Sequence, residues 1–364
     1  MDEQLLEYIY FLVYGGVTVL SLVACCYLLF SRGNAFDPDI TPPAPRRRWA
    51  AAFFAAITLS QLWYLPIYFL SSSEDVILGH LIGGLLDCLT VFPLLIVVLL
   101  TILQDRKRPL WPVWVMMTPL VLGLVWCIAT RSDALLPIII GYFLLICIGV
   151  IIYMVRATKQ YGRWLRDNYA DLEHKEVWQS FVVLAVILLG FLIYSFDFGE
   201  LIYEYAMEVI TIALICYFLW RVETLSDLSH PVNDAEEVLD NGSAVVVSSA
   251  KDIGSLLKRY CEEPQLYLQH DISITQLATL IGTNRSYLSK HFALQGINYN
   301  AYINGLRIRH FINLYHETAA THHPVCAKQL AYQSGFRSYN TFSVAFKKMM
   351  GMSTTEWIRN QISA

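Results

Sequence analysis

Seven long apolar stretches precede residue 221, at about Tyr8–Phe30, Trp49–Leu70, Leu81–Leu103, Trp111–Ala129, Leu135–Val155, Val177–Phe198 and Ile202–Trp220. Each holds the roughly 20 residues that a helix needs to cross a bilayer. Only 15% of the chain is charged, against roughly 25% in an ordinary soluble domain. That deficit excludes a soluble two-domain protein. It also excludes a disordered chain, which requires low hydrophobicity and high net charge. The first stretch does not read as a cleavable signal: it is long, acids precede it and no small-residue cleavage site follows. A retained helix is expected there.

Basic residues between the stretches predict an orientation. Arg32, Arg46, Arg47 and Arg48 follow the first stretch, and Arg106, Lys107 and Arg108 the third. Arg156, Lys159, Arg163, Arg166 and Lys175 follow the fifth, whereas the opposite loops hold Arg131 alone. The positive-inside rule puts the basic loops in the cytoplasm, the N-terminus outside and the C-terminus inside. Trp49, Trp111, Trp178 and Trp220 then fall at cytoplasmic span ends, where indoles sit well.

The net charge of −4 hides an asymmetry. Residues 1–221 carry net −4, residues 222–249 carry six acids with no Lys or Arg, and residues 250–364 carry net +6. The predicted domains are therefore a seven-span membrane sensor at 1–221, an acidic cytoplasmic linker at 222–249 and a basic domain at 250–364. In the linker, Pro231 and Asn241-Gly242 are turn signals, and a short helix is expected from Asn233 to Leu239. The linker reads equally as a signal-passing or dimerising segment and as a solvated tether. The cysteines show no zinc spacing and no disulfide framework.

Beyond Asp252 the apolar period becomes helical and amphipathic, with helices expected near 250–262, 273–281, 285–295, 299–315, 326–334 and 338–349. Ile274, Leu277, Ala278 and Ile281 share one face, and Gly282 follows as a stop. Thr283-Asn284 turns the chain into Arg285-Ser286-Tyr287-Leu288-Ser289-Lys290-His291-Phe292. Two short helices joined by a tight turn form a helix-turn-helix, whose second helix can enter a major groove. The pattern recurs: Leu277-Ala278 aligns with Leu330-Ala331, Gly282 with Gly335, Tyr287-Leu288 with Thr341-Phe342, and His291-Phe292 with Ala345-Phe346. A helix at about 299–315, carrying Arg307 and Arg309, bridges the two units.

The stretches LATLIGTNRSYLSKHF, GINYNAYINGLRIRHFINL and QLAYQSGFRSYNTFSVAFKKMMGMSTTEW resemble the DNA-binding domain of AraC/XylS-family transcription regulators. The resemblance covers about 110 residues of the chain, 250–364, and implies one recognition helix in each of two successive major grooves. By position it assigns base and groove contacts to Arg285, Ser286, Tyr287, Ser289 and Lys290, then to Arg337, Ser338, Asn340, Thr341 and Ser343. Lys347, Lys348 and Arg307 would meet the phosphate backbone. Four positions depart from the family pattern. Val344 stands where a basic residue is common, Phe311 where Ala is usual, Ala327 where a larger aliphatic is usual, and Thr354 where Pro is usual. The first bears on affinity and the others on packing.

Ionisable groups within apolar spans are costly and by default functional. Asp87 lies inside the third stretch, with His80 near its outer end. Glu200, Glu204 and Glu208 stack at i, i+4 and i+8, and Asp197 ends the sixth stretch. All lie in the predicted outer half, as an acid-lined cavity for a cationic ligand, a metal ion or protons. The bland alternative is that Glu200 and Glu204 are merely wet, while Asp87 and Glu208 hydrogen-bond neighbouring helices. No resident metal or cofactor is called for. No span holds a lysine for a retinal Schiff base, and no P-loop, HExxH or Gly-x-Ser-x-Gly occurs. Pro66, Pro93 and Pro119 are expected kink points.

The expectation is an all-α protein: a seven-transmembrane bundle joined to a cytoplasmic tandem helix-turn-helix domain. It reads as a one-component transcription regulator of a bacterial inner membrane, not an enzyme. A signal would pass through span seven and the linker. The implied partners are double-stranded DNA and the lipid bilayer, with an extracytoplasmic ligand or proton, a homodimer partner and RNA polymerase as further candidates. Two alternatives stand beside it: a transporter or channel with an appended autoregulatory DNA-binding domain, and an intramembrane enzyme using Asp87, His80 and the glutamates.

Overall fold

The structure, a computed structural model, describes residues 3–31, 33–34, 42, 44–172, 175, 200–225, 228, 250–320 and 326–363. Among these the chain is all-α, without strands. It divides into two compact units, Met1–Tyr161 with Val177–Asp227, and Gly162–Glu176 with Leu228–Ala364.

The first unit comprises α1 (Glu3–Phe30), α2 (Ala44–Tyr64), α3 (Ser73–Leu89), α4 (Val91–Ile102), α5 (Trp111–Thr130), α6 (Leu136–Asn168, whose last turns belong to the second unit) and α7 (Glu200–Thr224). Six helical spans among the described residues are long and apolar enough to cross a membrane, α3 and α4 together forming one. The expected sixth stretch, Val177–Phe198, lies outside the described residues, as does the Asn233–Leu239 helix.

The prolines act as their chemistry requires. Pro93 has no N–H to offer the Leu89 carbonyl, and its ring crowds that carbonyl. The helix accordingly stops at Leu89 and restarts at Val91, with Thr90 at φ −126°, ψ −70°. Pro66 falls at the start of a 3-10 turn, Leu65–Phe69, that closes α2. Pro119 stays inside α5.

Helix α1 packs on α2 and α7, α2 on α4, and α3 on α5. Ala50 and Ala51 lie buried on α2 with Phe53 and Phe54, and Phe53 meets Phe218 of α7 edge-on at 5.5 Å. The outward residues are apolar too: Leu12 is 78% exposed, Ile138 68% and Leu145 66%. A monomeric soluble protein does not present so continuous an apolar surface.

The second unit continues with α8 (Ala250–Leu257), α9 (Ile274–Leu280), α10 (Arg285–Leu294), α11 (Tyr299–Ala320), α12 (Ala327–Gln333), α13 (Tyr339–Met350) and α14 (Thr354–Ser363). Two cores form here. Tyr299, Ile303 and Leu306 of α11 join Leu277, Leu288 and Phe292 in one. Ile308, Phe311 and Tyr315 of the same helix join Leu330, Phe342, Phe346 and Trp357 in the other. Phe311, the departure from the family's Ala, is fully buried against Phe342, ring centroids 4.5 Å apart. Thr354 is 2% exposed where α14 begins. Ala327 packs at the edge of the second core.

Candidate DNA-binding surface and polar cluster

Each helix-turn-helix is built by caps. Ser273 opens α9 with a reciprocal capping box: its hydroxyl accepts the Gln276 N–H at 3.3 Å, and Gln276 Oε1 accepts the Ser273 N–H at 2.9 Å. The Thr283 N–H donates five residues back to the Ala278 carbonyl at 2.9 Å, across Gly282 at φ +72°. Asn284 then caps α10, its Oδ1 accepting the Tyr287 N–H at 2.9 Å. The second unit repeats this closure. The Phe336 N–H donates to the Ala331 carbonyl at 3.2 Å across Gly335 at φ +86°, and the Ser338 hydroxyl accepts the Thr341 N–H at 3.2 Å. The tandem repeat read from sequence is thus a repeat of backbone geometry.

Burial divides α10 cleanly. Leu288 and Phe292 are buried, Ser286, Tyr287 and Lys290 are exposed, and Arg285 and Ser289 are half-buried. On the second unit Asn340, Lys347 and Lys348 are exposed, and Arg337, Ser338, Thr341 and Ser343 are half-buried. Two of these have structural work: Ser338 and Thr341 are engaged in the cap, their hydroxyls 3.0 Å apart. Val344 is 66% exposed, an apolar side chain on the outward face of α13.

Arg307 must be reassigned. It is 1% exposed, so it cannot reach a phosphate. Its Nε donates to the Tyr267 carbonyl at 2.7 Å, and an Nη donates to the carbonyls of Gln269 and His270 at 2.7 and 3.3 Å. The guanidinium holds the loop before α9 against α11. Arg309, two residues on, is the exposed cation of that helix.

In the first unit, part of the predicted acid set comes together with residues that the sequence reading passed over. Gln61 Nε2 donates to both Glu208 carboxylate oxygens at 3.1 Å. The Tyr68 hydroxyl donates to Glu204 at 3.2 Å and lies 2.7 Å from the Tyr10 hydroxyl. Tyr14 donates its hydroxyl to the Gln61 carbonyl. Asp87 accepts from Ser60 at 2.9 Å, one residue from Gln61 on α2. His80 is not drawn in: its Nδ1 lies 2.8 Å from the Val76 carbonyl of its own helix. Asp197 lies outside the described residues, and Glu200 is described only as the first residue of α7. Ser60-Gln61 in the middle of an apolar stretch was the available signal for the α2 contribution.

At the far end of α7, Arg47 lies 3.0 Å from the fully buried Glu223, and Tyr27 donates to the same carboxylate at 3.1 Å. Arg46 donates to the Leu225 carbonyl at 3.1 Å. Two of the arginines counted for orientation therefore also fasten the end of α7 to α2.

Residues 277–360 match the family described as "Helix-turn-helix domain". Over 76 residues the chain is 36% identical to the TCP pilus virulence regulatory protein of Vibrio cholerae serotype O1, in both the Classical Ogawa 395 and El Tor Inaba N16961 strains. That region is 21% of this chain, which spans about a quarter (26%) of the length of these curated relatives. No solved structure matches. The matched region falls on the two capped units and their bridging helix, and it is similar to a helix-turn-helix domain.

Proposed function

We propose that this chain is a membrane-embedded transcription regulator, in which an AraC-type domain binds promoter DNA under the control of the apolar helices. One observation carries the reading: two capped helix-turn-helix units with polar, cationic outward faces share a chain with six helices apolar enough to span a bilayer. The contacts would come from Arg285, Ser286, Tyr287, Ser289 and Lys290 of the first unit. From the second unit they would come from Arg337, Ser338, Asn340, Thr341 and Ser343, with Lys347 and Lys348 on phosphate. Arg309 takes the place first given to Arg307.

The orientation that fits is N-terminus outside and basic loops in the cytoplasm of a bacterial inner membrane. In that orientation Asp87, Glu204 and Glu208, with the tyrosine hydroxyls of α1 and the turn after α2, form the sensing site. Carboxylates beside aromatic faces suit a cationic ligand, or a proton.

The test is full-length protein in phospholipid nanodiscs, challenged with genomic DNA fragments. Sequence-selective binding should weaken steeply with salt, because each neutralised phosphate releases counterions. Arg285→Ala with Asn340→Ala should abolish the selectivity; binding unchanged by the pair would refute the assigned surface. Glu208→Gln should remove the transcriptional response in cells while leaving DNA affinity in vitro intact.

A further inference from the structure

Helix α13 divides its faces sharply. Phe342 and Phe346 are fully buried in the second core. Asn340, Val344, Lys347 and Lys348 point the other way and are exposed. Val344 stands one turn behind Asn340 and one turn ahead of the two lysines, so these side chains share one helical face. A single exposed valine on a protein surface is ordinary. Val344 differs in its company: every other exposed side chain on its face is one that the DNA reading needs.

The first unit points to the same position. Asn284 caps α10 and Ser338 caps α13. Counted from those caps, Val344 answers to Lys290, an exposed residue already assigned to the DNA surface. The two helices distribute their charge differently. Helix α10 has a cation at this middle position and an exposed Leu294 at its end. Helix α13 has the valine in the middle and Lys347 and Lys348 in its last turn. Attraction to phosphate is thus supplied from the end of α13, and the middle of its outward face is apolar. A major groove presents hydrogen-bonding edges and one apolar group, the 5-methyl of thymine. An isopropyl group set against the edges strips them of water at a cost, whereas against that methyl it gains.

We propose that Val344 is a specificity-determining residue, whose side chain packs on the 5-methyl group of a thymine in the groove entered by the second unit. This rests on the reading of α13 as a recognition helix. One turn of helix, from Asn340 to Val344, rises about 6 Å, and successive bases on a strand lie about 3.4 Å apart. The thymine therefore lies roughly two base steps from the base that Asn340 reads. The absence of a basic residue at this position is then an exchange of phosphate attraction for base reading.

The test uses full-length protein in phospholipid nanodiscs and a genomic DNA fragment selected by the wild-type chain. If the wild type selects no fragment, or Asn340→Ala relaxes no base preference, the reading of α13 fails and the proposal with it. Each thymine of the bound site is replaced singly by deoxyuridine, which removes the methyl and keeps every hydrogen-bonding edge. The wild type should lose about fourfold in affinity at one thymine near the base that Asn340→Ala ceases to read, the worth of one buried methyl. Val344→Ser has a similar helix propensity but a hydroxyl in place of the methyls. It should bind the unmodified site about fourfold more weakly, and should not distinguish thymine from uracil at that one position. Thymine and uracil are compared within each protein, so any change in folding cancels. An equal loss in wild type and variant would give the methyl contact to another side chain and overturn the proposal. Wild-type indifference to every replacement would overturn it too, as would a Val344→Ser that alters transcription in cells yet binds the unmodified site as tightly as wild type, which would turn this face toward a protein.

Discussion

Arg307 shows how far a single side chain's role depends on its burial. Three backbone carbonyls converge on its guanidinium, and its ring-face neighbour is Phe336 at 5.6 Å. A lysine offers a point charge where a planar fork is needed. Arg307→Lys should therefore destabilise the domain by at least about 2 kcal/mol, since buried acceptors lose charged partners; thermal unfolding measures this. Helical spacing already placed Arg307 four residues from both Ile303 and Phe311, on the buried face, so the apolar period argued against a DNA role. Gly335 is as constrained. At φ +86°, an added Cβ would sit 2.7 Å from Leu268 Cα and 2.8 Å from its carbonyl oxygen. Gly335→Ala should cost about 1 kcal/mol or more, because the native backbone cannot accept the side chain. Asp271 supplies a pH dependence. Burial pushes its carboxyl up, but Lys175, then Arg337 and His270, outweigh this and hold it below its ordinary value. Its ion pairs thus contribute stability that is present above the ordinary carboxylate range near pH 4, and lost as pH falls through the lowered value. The stability difference between wild type and Asp271→Asn should accordingly shrink on acidification below about pH 4.

Among the elements, the recognition helices depend on their first residues. Asn284 and Ser338 each satisfy an otherwise orphaned N–H at the helix start. Asn284→Ala and Ser338→Ala should each lower stability by about 1 kcal/mol, and Asn284→Ala, outside the assigned contacts, should weaken DNA binding without changing which bases are preferred. Urea unfolding and a binding-site selection separate the two effects. These helices were legible because each combines a cap, a glycine stop and an apolar i, i+4 pair within a dozen residues. The break at Thr90 was legible in kind, since Pro93 marked a kink, but the helix is interrupted rather than bent. The final helix, Thr354–Ser363, and the extension of α11 to Ala320 carried weaker signals, being polar on most faces. The tie of Tyr169 and Lys175 to the residues that open α9 was not legible at all. Its partners are about a hundred positions apart, and neither side bears a local pattern that announces the other.

On the scale of the molecule, the chain's low charge and seven apolar stretches led to an all-α membrane protein. Among the described residues the fold is all-α, with six helices of the required length and character. The acids were visible because charge is expensive in an apolar run; Gln61 and Tyr10, neutral and tolerable there, were not. Fusions of a periplasm-active reporter after Thr130 and a cytoplasm-active reporter after Lys107 should both be active if the basic loops face the cytoplasm. The opposite pattern would invert the proposed topology. Helix α11 has a further consequence. One unbroken 22-residue rod seats its first half in one core and its second half in the other. The distance between the two reading heads is then a ruler cut in protein. An operator for this domain would be a single block of fixed spacing, and lengthening its middle even by a whole turn of DNA would leave one head without its bases.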